Sequence, residues 1–336
     1  MPDGTLSPPA GTPPTAHVDL RPLTTSELID RGFALYRTHF AGFLLLALLA
    51  QAAPLLTQIL VTALGLNPTP NEILSQPNAA LDKLGLILGL GSIEQVIVFA
   101  AQVVATYYVS DAYLGRIPSV TASLHKLTQL AAATVWTLVV HRLLVGLTFI
   151  FPLLAFIAAD AYNLIYPPTG FLAILLFWGS SFLLLVVSLV PVLVVFMRLW
   201  VVVPPLALEN LSGWKAVRRS SALVRYDPGL GLLYWGEMRL SFLLLPLFII
   251  GVLFLSLTSL PLLLFQMSEA VRHGSSGQVI MPPDSTLIVS QILTYLAGSI
   301  IWPLYVIATT LFYYDIRIRR EGFDLEFLAG RLAERK

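Results

Sequence analysis

Long apolar stretches alternate along the chain with short segments that carry most of its charge. An α-helix needs about 20 apolar residues to cross the hydrocarbon core of a bilayer, which is about 30 Å thick. The stretches of the chain that meet this length predict six transmembrane helices, near residues 41–64, 84–109, 132–158, 171–200, 232–265 and 287–313.

Two of these stretches, the fourth and the fifth, are longer than a span requires, which predicts tilted or kinked helices. Three prolines are placed to cause the kinks, namely Pro191, Pro246 and Pro261. Glycines at close spacing let helices approach one another in lipid. We therefore expect the second span to pack through Gly85, Gly89 and Gly91.

The composition also indicates a membrane location. Of the 336 residues, 57% are hydrophobic and only 12% are charged, whereas about 25% of the residues of a soluble domain are charged. A water-soluble core of this size could not enclose so much apolar surface, and lipid is the solvent that accepts it. The predicted fold class is all-α, a polytopic helical membrane bundle.

The basic residues predict how this bundle is oriented, because Lys and Arg favour cytoplasmic loops. Sixteen of the 20 lie in the N-terminal segment, in residues 110–131 and 198–230, or after residue 316. The opposite side carries only Lys83 and Arg272 outside the spans. We therefore expect both termini to be cytoplasmic.

This orientation divides the chain into three parts. Residues 1–20 contain five prolines and no apolar run, which predicts a disordered cytoplasmic tail. Residues 21–315 are predicted to form the six-helix transmembrane domain. Residues 316–336 are predicted to form a basic cytoplasmic C-terminal tail.

A short amphipathic helix is predicted at the cytoplasmic surface before each of the first, third and fifth spans. The first begins at Thr24, which with Glu27 has the spacing of a capping box. Its apolar residues recur on one face, and they are Ile29, Phe33, Tyr36 and Phe40. The second helix is predicted to follow Pro118, and the third to follow Ser212.

Three segments of the chain resemble, in order, the signatures of a known family. They are LRPLTTSELIDRGFALYRTHF near the start, PPLALENLSGWKAVRRSSALVR in the middle and TTLFYYDIRIRREGFDLEFLAGRL near the end. The family is a group of bacterial multi-pass membrane proteins named for the membrane domain of glycerophosphodiester phosphodiesterases. The resemblance implies a bacterial plasma (inner) membrane protein, and many members have no enzyme domain.

Polar residues inside the second and third spans form a candidate intramembrane site. These residues are Glu94, Gln95, Gln102, His141 and Arg142. A charge at the centre of a bilayer costs about 2.5–3.5 kcal/mol on insertion scales, so it needs a partner or a function. Two interpretations stay open: a structural pair between Glu94 and Arg142, with Arg142 also able to reach the interface, or a site for a substrate or proton.

Basic residues on the cytoplasmic side are candidate contacts for anionic lipid headgroups. They are Lys215, Arg218, Arg219, Arg225, Arg317, Arg319 and Arg320. Each such charge near an anionic surface contributes about 1 kcal/mol. The alternative is that these residues only set the topology of the chain.

Catalytic and metal-binding motifs are lacking in the sequence. The chain has no Cys, and its five His residues are scattered without ligand spacing. We expect no enzyme activity, no cofactor, no metal and no nucleic-acid partner. The sequence favours a non-catalytic scaffold, lipid-organising or accessory protein whose partners are membrane lipids, with a membrane-protein partner or a second copy left open. The alternatives are a small transporter or channel and, less well supported, an intramembrane enzyme acting on lipids.

Overall fold

The computed structural model of the protein describes residues 20–68, 72, 75–165, 170–225, 236–273 and 282–334. The predicted tail of residues 1–20 lies outside this part of the chain except for its last residue. The helices with both ends inside the described ranges are α1 (Thr25–Thr38), α2 (Phe40–Ala63), α3 (Pro77–Tyr113), α4 (Val120–Ile165), α5 (Phe171–Trp200), α6 (Val203–Leu208), α7 (Trp214–Val224), α8 (Gly236–Thr258), α9 (Leu260–His273), α10 (Asp284–Glu321) and α11 (Phe323–Glu334).

Six of these helical segments are long and apolar enough to cross a membrane. They are α2, α3, α4, α5 continuing into α6, α8 and α10. The described residues form no β-strand. The predicted fold class, an all-α polytopic bundle with six membrane-spanning helices, is therefore confirmed.

Proline residues affect these helices unequally. Helices α5 and α8 continue through Pro191 and Pro246. The helix of the predicted fifth stretch is interrupted at Ser259. It is therefore divided into α8, which ends at Thr258, and α9, which begins at Leu260. Pro261 explains the break, because its ring lacks an N–H donor and would clash with the carbonyl of Leu257 in a continuous helix.

Helix α10 lies at the centre of the bundle. It packs against α1, α2, α3, α8 and α9, whereas α4 packs on α3, and α5 packs against α4, α7 and α8. Every residue from Val306 to Ile316 is buried. The helix continues through residue 321, so the predicted C-terminal tail begins as an extension of the central helix and ends as α11.

Helix α1 begins with the predicted capping box. The Thr24 side chain accepts a hydrogen bond from the Glu27 backbone, and the Glu27 side chain accepts one from the Thr24 backbone. A hydrogen bond from Arg21, together with those from Thr24, lowers the pKa of Glu27 to about 2. The face of α1 that packs on α8 and α10 is centred on Leu28 and Gly32.

The other two predicted surface helices have different outcomes. Helix α7 is a separate helix, Trp214–Val224, as predicted. The segment after Pro118 is not separate, because α4 begins at Val120 and continues without a break into the third span. The sequence contains no proline or glycine between Val120 and the span that would end the first turns.

Close helix contacts do not occur at the predicted glycines. Among the residues that the structure describes, a Cβ atom placed on Gly85, Gly89 or Gly91 would meet no atom within 4 Å outside its own helix. The prediction that the second span packs through this cluster is therefore wrong. The close approach occurs at Gly42 of α2, which faces Tyr108 of α3.

Candidate functional site

The three segments that carry the family resemblance meet at one end of the bundle. We call this the motif end and define it by residues 20–40, 204–225 and 309–327. The backbone N–H of Leu23 donates to Asp315 at 2.8 Å. Arg219 reaches both Glu209 and Glu321. Segments that are almost 300 positions apart in sequence are thus joined by direct polar contacts.

Asp315 is the most buried charge at the motif end, with 1% of its side chain exposed. It accepts from Arg319 Nε at 3.0 Å and from Arg239 Nη2 at 2.9 Å. The same two guanidinium groups donate to the carbonyl oxygen of Leu23, at 2.6 Å from Arg319 and 3.1 Å from Arg239. This network fixes the residues before α1 to both α8 and α10.

A second network centres on Arg219 of α7. Its Nε lies 2.8 Å from Glu209 Oε2, and its Nη1 lies 2.6 Å from Glu321 Oε1. Arg317 Nε also pairs with Glu321 at 3.0 Å, and Tyr313 donates to Glu209 at 2.8 Å. The hydrogen bonds to Glu321 and then Glu209 hold the pKa of Arg219 above its usual value.

Four of the seven predicted lipid contacts have partners within the protein. Arg219, Arg317 and Arg319 are in ion pairs within the protein. Arg320 donates to the carbonyl oxygens of Ala222 and Arg225, at 2.9 and 2.7 Å. It thereby satisfies carbonyls at the C-terminus of α7, as basic side chains commonly do.

The remaining three predicted contacts lie exposed on or next to α7. They are Lys215, Arg218 and Arg225. Within the described part of the chain, none of the three forms an ion pair. Their side chains are therefore available to a negatively charged partner.

Two exposed indole rings accompany this basic surface. Trp214 at the start of α7 is 59% exposed, and Trp136 on α4 is 57% exposed. Gly213 lies against Trp136 with a φ of +55°, a left-handed conformation that glycine adopts without strain. Its N–H donates to Thr137 Oγ1 at 2.8 Å. The turn before α7 is thus fixed to α4.

The candidate intramembrane site is assembled only in part. Arg142 donates to the side-chain oxygen of Gln95, while the Arg142 side chain remains exposed. Glu94 is half-buried and has no ion pair with Arg142 or with any other residue in the described ranges. Consecutive residues point about 100° apart on a helix, so Gln95 and Glu94 cannot both face Arg142.

The other two members of this candidate site do not join that pair. Nδ1 of His141 is buried without a hydrogen-bond partner, and the imidazole ring lies 6.3 Å from the Phe99 ring. The side chain of Gln102 is half-buried on α3. Among the described residues, no group of three or more His, Asp or Glu side chains could hold a metal ion.

Comparison of the chain with family models, with curated proteins and with solved structures found no match. The class of protein therefore follows from the fold alone. The chain is a multi-pass, all-α integral membrane protein whose polar contacts concentrate at one end of its central helix.

Proposed function

We propose that the protein is a non-catalytic membrane protein that binds and organises anionic lipid at the cytoplasmic face of a bacterial plasma membrane. The observation that carries this proposal is the exposed set Lys215, Arg218 and Arg225 beside Trp214. Most other basic residues of the motif end are satisfied within the protein. Because the surrounding basic residues have partners within the protein, the exposed charges of these three residues favour a partner outside it.

The chemistry of this surface fits lipid headgroups. Lys and Arg near an anionic leaflet each contribute about 1 kcal/mol of binding free energy. Indole rings such as those of Trp214 and Trp136 favour the depth of the headgroups. Because Arg320 and Thr137 hold α7 at both ends, the cations are presented on a fixed helix. Preorganisation of this kind lowers the entropy lost on binding.

A scaffold or accessory role is better supported than transport. A substrate that moved along α10 would have to pass the buried layer from Val306 to Ile316, which includes Asp315. Of the two charges in the proposed intramembrane site, Arg142 is bound by the neutral Gln95. The resemblance to the membrane-domain family, whose members often lack an enzyme domain, also favours a non-catalytic role.

Neutralising the exposed cations should weaken binding of anionic lipid. We expect the double variant Lys215→Gln, Arg218→Gln to bind phosphatidylglycerol about 30-fold more weakly than the wild type, because two charges contribute about 2 kcal/mol. Native mass spectrometry of the protein in detergent, titrated with phosphatidylglycerol and separately with phosphatidylcholine, measures the difference. Binding of phosphatidylcholine should not change.

The matched control removes two cations that already have acidic partners. Arg21 pairs with Glu27 at 2.6 Å, and Arg116 lies 3.7 Å from Asp111. The variant Arg21→Gln, Arg116→Gln has the same net charge as the test variant, but it should keep at least a third of the affinity for phosphatidylglycerol. Equal losses in the two variants would mean that bulk charge rather than the α7 surface attracts the lipid.

The natural absence of cysteine gives a direct test of orientation. We expect Lys215→Cys to react with a membrane-impermeant maleimide only after cells are permeabilised. Arg272→Cys, on α9 at the opposite end of α8, should react in intact cells. The wild-type chain is the blank, because it has no thiol. Labelling of Lys215→Cys in intact cells would contradict the cytoplasmic placement on which the lipid proposal depends.

A further inference from the structure

The three exposed cations, Lys215, Arg218 and Arg225, follow one face of α7. Successive residues of an α-helix are rotated by about 100°, so these three positions fall within an arc of about 80°. The buried residues of α7 are centred on the opposite face, and they are Ala216, Val217, Ser220, Leu223 and Val224. The cations therefore form one stripe on the exposed side of the helix.

The cations are unevenly spaced along this stripe. With a rise of about 1.5 Å per residue, Lys215 and Arg218 lie about 4.5 Å apart along the helix axis, whereas Arg218 and Arg225 lie about 10 Å apart. Ala222 occupies the same face between the two arginines and is exposed. Because its side chain is a single methyl group, the surface between Arg218 and Arg225 is open to a ligand. The stripe thus consists of a pair of cations, a gap and a third cation.

This spacing favours two anionic groups over one. A phosphate accepts charge-assisted hydrogen bonds at about 2.7–2.9 Å, and Lys215 and Arg218 are close enough to share one phosphate. Arg225 lies about two helical turns beyond that pair. A lipid with a single phosphate, such as phosphatidylglycerol, therefore satisfies the pair and leaves Arg225 without an anion.

Two observations place the stripe beside the lipid headgroups. The turn before α7 is fixed to the membrane-spanning helix α4, because the N–H of Gly213 donates to Thr137 Oγ1 at 2.8 Å. The exposed indole ring of Trp214 lies one helical turn before Arg218, and indole rings favour the depth of the headgroups. The stripe therefore begins at the level where the phosphates of a lipid leaflet lie.

We propose that this face of α7 prefers a lipid with two phosphates on one headgroup, of the diphosphatidylglycerol (cardiolipin) class. Lys215 and Arg218 bind one phosphate and Arg225 binds the other, while the glycerol that joins the phosphates lies over Ala222. Binding of the first phosphate holds the second near Arg225 at a high effective concentration, so the two contacts reinforce each other. This inference rests on the proposed function and names the lipid class that the same surface selects.

Two lipids separate the effect of the second phosphate from that of additional acyl chains. Dilysocardiolipin carries two phosphates and two acyl chains, whereas phosphatidylglycerol carries one phosphate and the same number of chains. Native mass spectrometry of the wild type in detergent, titrated with each lipid, should show at least about fivefold tighter binding of dilysocardiolipin, because one more cation is engaged. Equal affinities would overturn this inference and leave the proposed binding of anionic lipid intact.

The variant Arg225→Gln removes the third cation alone. It should weaken binding of dilysocardiolipin about fivefold, the effect of one lost charge, and binding of phosphatidylglycerol less than about twofold, because that lipid engages the other two cations. Folding should be unaffected, since Arg320 donates to the backbone carbonyl of residue 225 rather than to its side chain. Equal weakening of both lipids would mean that Arg225 only adds general charge, and it would overturn the inference.

The matched control is Arg116→Gln. It removes one exposed charge at the same end of the bundle, but Arg116 has an acidic partner, Asp111, at 3.7 Å. The ratio of the affinities for the two lipids should therefore stay close to that of the wild type. A fall in this ratio as large as that in Arg225→Gln would show that net charge, rather than the stripe, selects the lipid. Failure of the proposed function looks different, because neither lipid would then bind the wild type more tightly than phosphatidylcholine does.

Discussion

Replacing Asp315 with asparagine should destabilise the folded protein by about 3–5 kcal/mol, the usual result of breaking a buried ion pair by removing one partner. The substitution leaves Arg239 and Arg319 next to each other without a counter-charge, and Arg239 is only 13% exposed. It also weakens the acceptor of the Leu23 N–H. The effect is measured by chemical unfolding in mixed micelles, followed by far-UV circular dichroism.

Asp111 supplies the matched control. It lies on α3 at the same end of the bundle, but its partner Arg116 is 64% exposed and 3.7 Å away. Exposed pairs of this kind contribute about 0–1 kcal/mol. Asp111→Asn should therefore change the free energy of unfolding by less than about 1 kcal/mol. A similar decrease in the free energy of unfolding in the two variants would show that burial of Asp315 does not determine its contribution to stability.

The same substitution should loosen the start of α1. The Asp315 network holds the residues that precede this helix, whereas packing on α8 and α10 and hydrogen bonds from Arg31 to Tyr113 and from Tyr36 to Ile300 hold the rest of it. Hydrogen exchange of the amides from Leu23 to Leu28 should therefore accelerate in Asp315→Asn. Amides in the capping box, which depends on local contacts, should retain more protection than the amide of Leu23.

The features that depend on local sequence were predictable. Apolar length determines the number of spans, because the bilayer sets one thickness for all of them. The capping box at Thr24 and Glu27 was predictable from spacing alone, since both partners belong to one turn. The break near Pro261 was predictable as a kink but not as a division into two helices, because the neighbouring packing decides whether a helix resumes.

Pairings between distant segments were not predictable. Asp315 meets Leu23 across 292 positions, and no periodicity encodes that contact. One local signal was present, because Asp315 and Arg319 are four residues apart on one helix face. The seven basic residues looked alike in sequence, yet only Lys215, Arg218 and Arg225 have neither an ion pair nor a side-chain hydrogen bond to a described residue. Tertiary neighbours make that distinction.

The glycines also show that the sequence of one helix does not predict its contacts with another helix. Gly85, Gly89 and Gly91 have the spacing of a packing motif, but a Cβ atom added to any of them would meet no neighbouring helix of the described residues within 4 Å. Gly42 has no such spacing, yet it contacts Tyr108 more closely than an alanine would allow. The spacing of glycines describes the surface of one helix, whereas close packing also requires a second helix next to that surface.

Replacing Gly42 with leucine should therefore destabilise the bundle by about 1–3 kcal/mol, the range expected when extra atoms are forced into a packed interface. A Cβ atom at this position would lie 2.6 Å from Tyr108 Cζ and closer still to its Oη. Tyr108 cannot easily move aside, because it is buried and its ring lies 5.0 Å from that of Phe43. Unfolding in mixed micelles measures the loss.

Gly89→Leu, in the middle of α3, tests whether the effect belongs to the interface. A Cβ atom added there meets no atom of the described residues within 4 Å, and replacing glycine inside a helix stabilises it by up to about 1 kcal/mol. The two leucines should therefore change stability in opposite directions. Adding Tyr108→Ala to Gly42→Leu should recover part of the loss, because the obstructing ring is removed. A Gly42→Leu protein as stable as the wild type would show that α2 and α3 are not in close contact at this position.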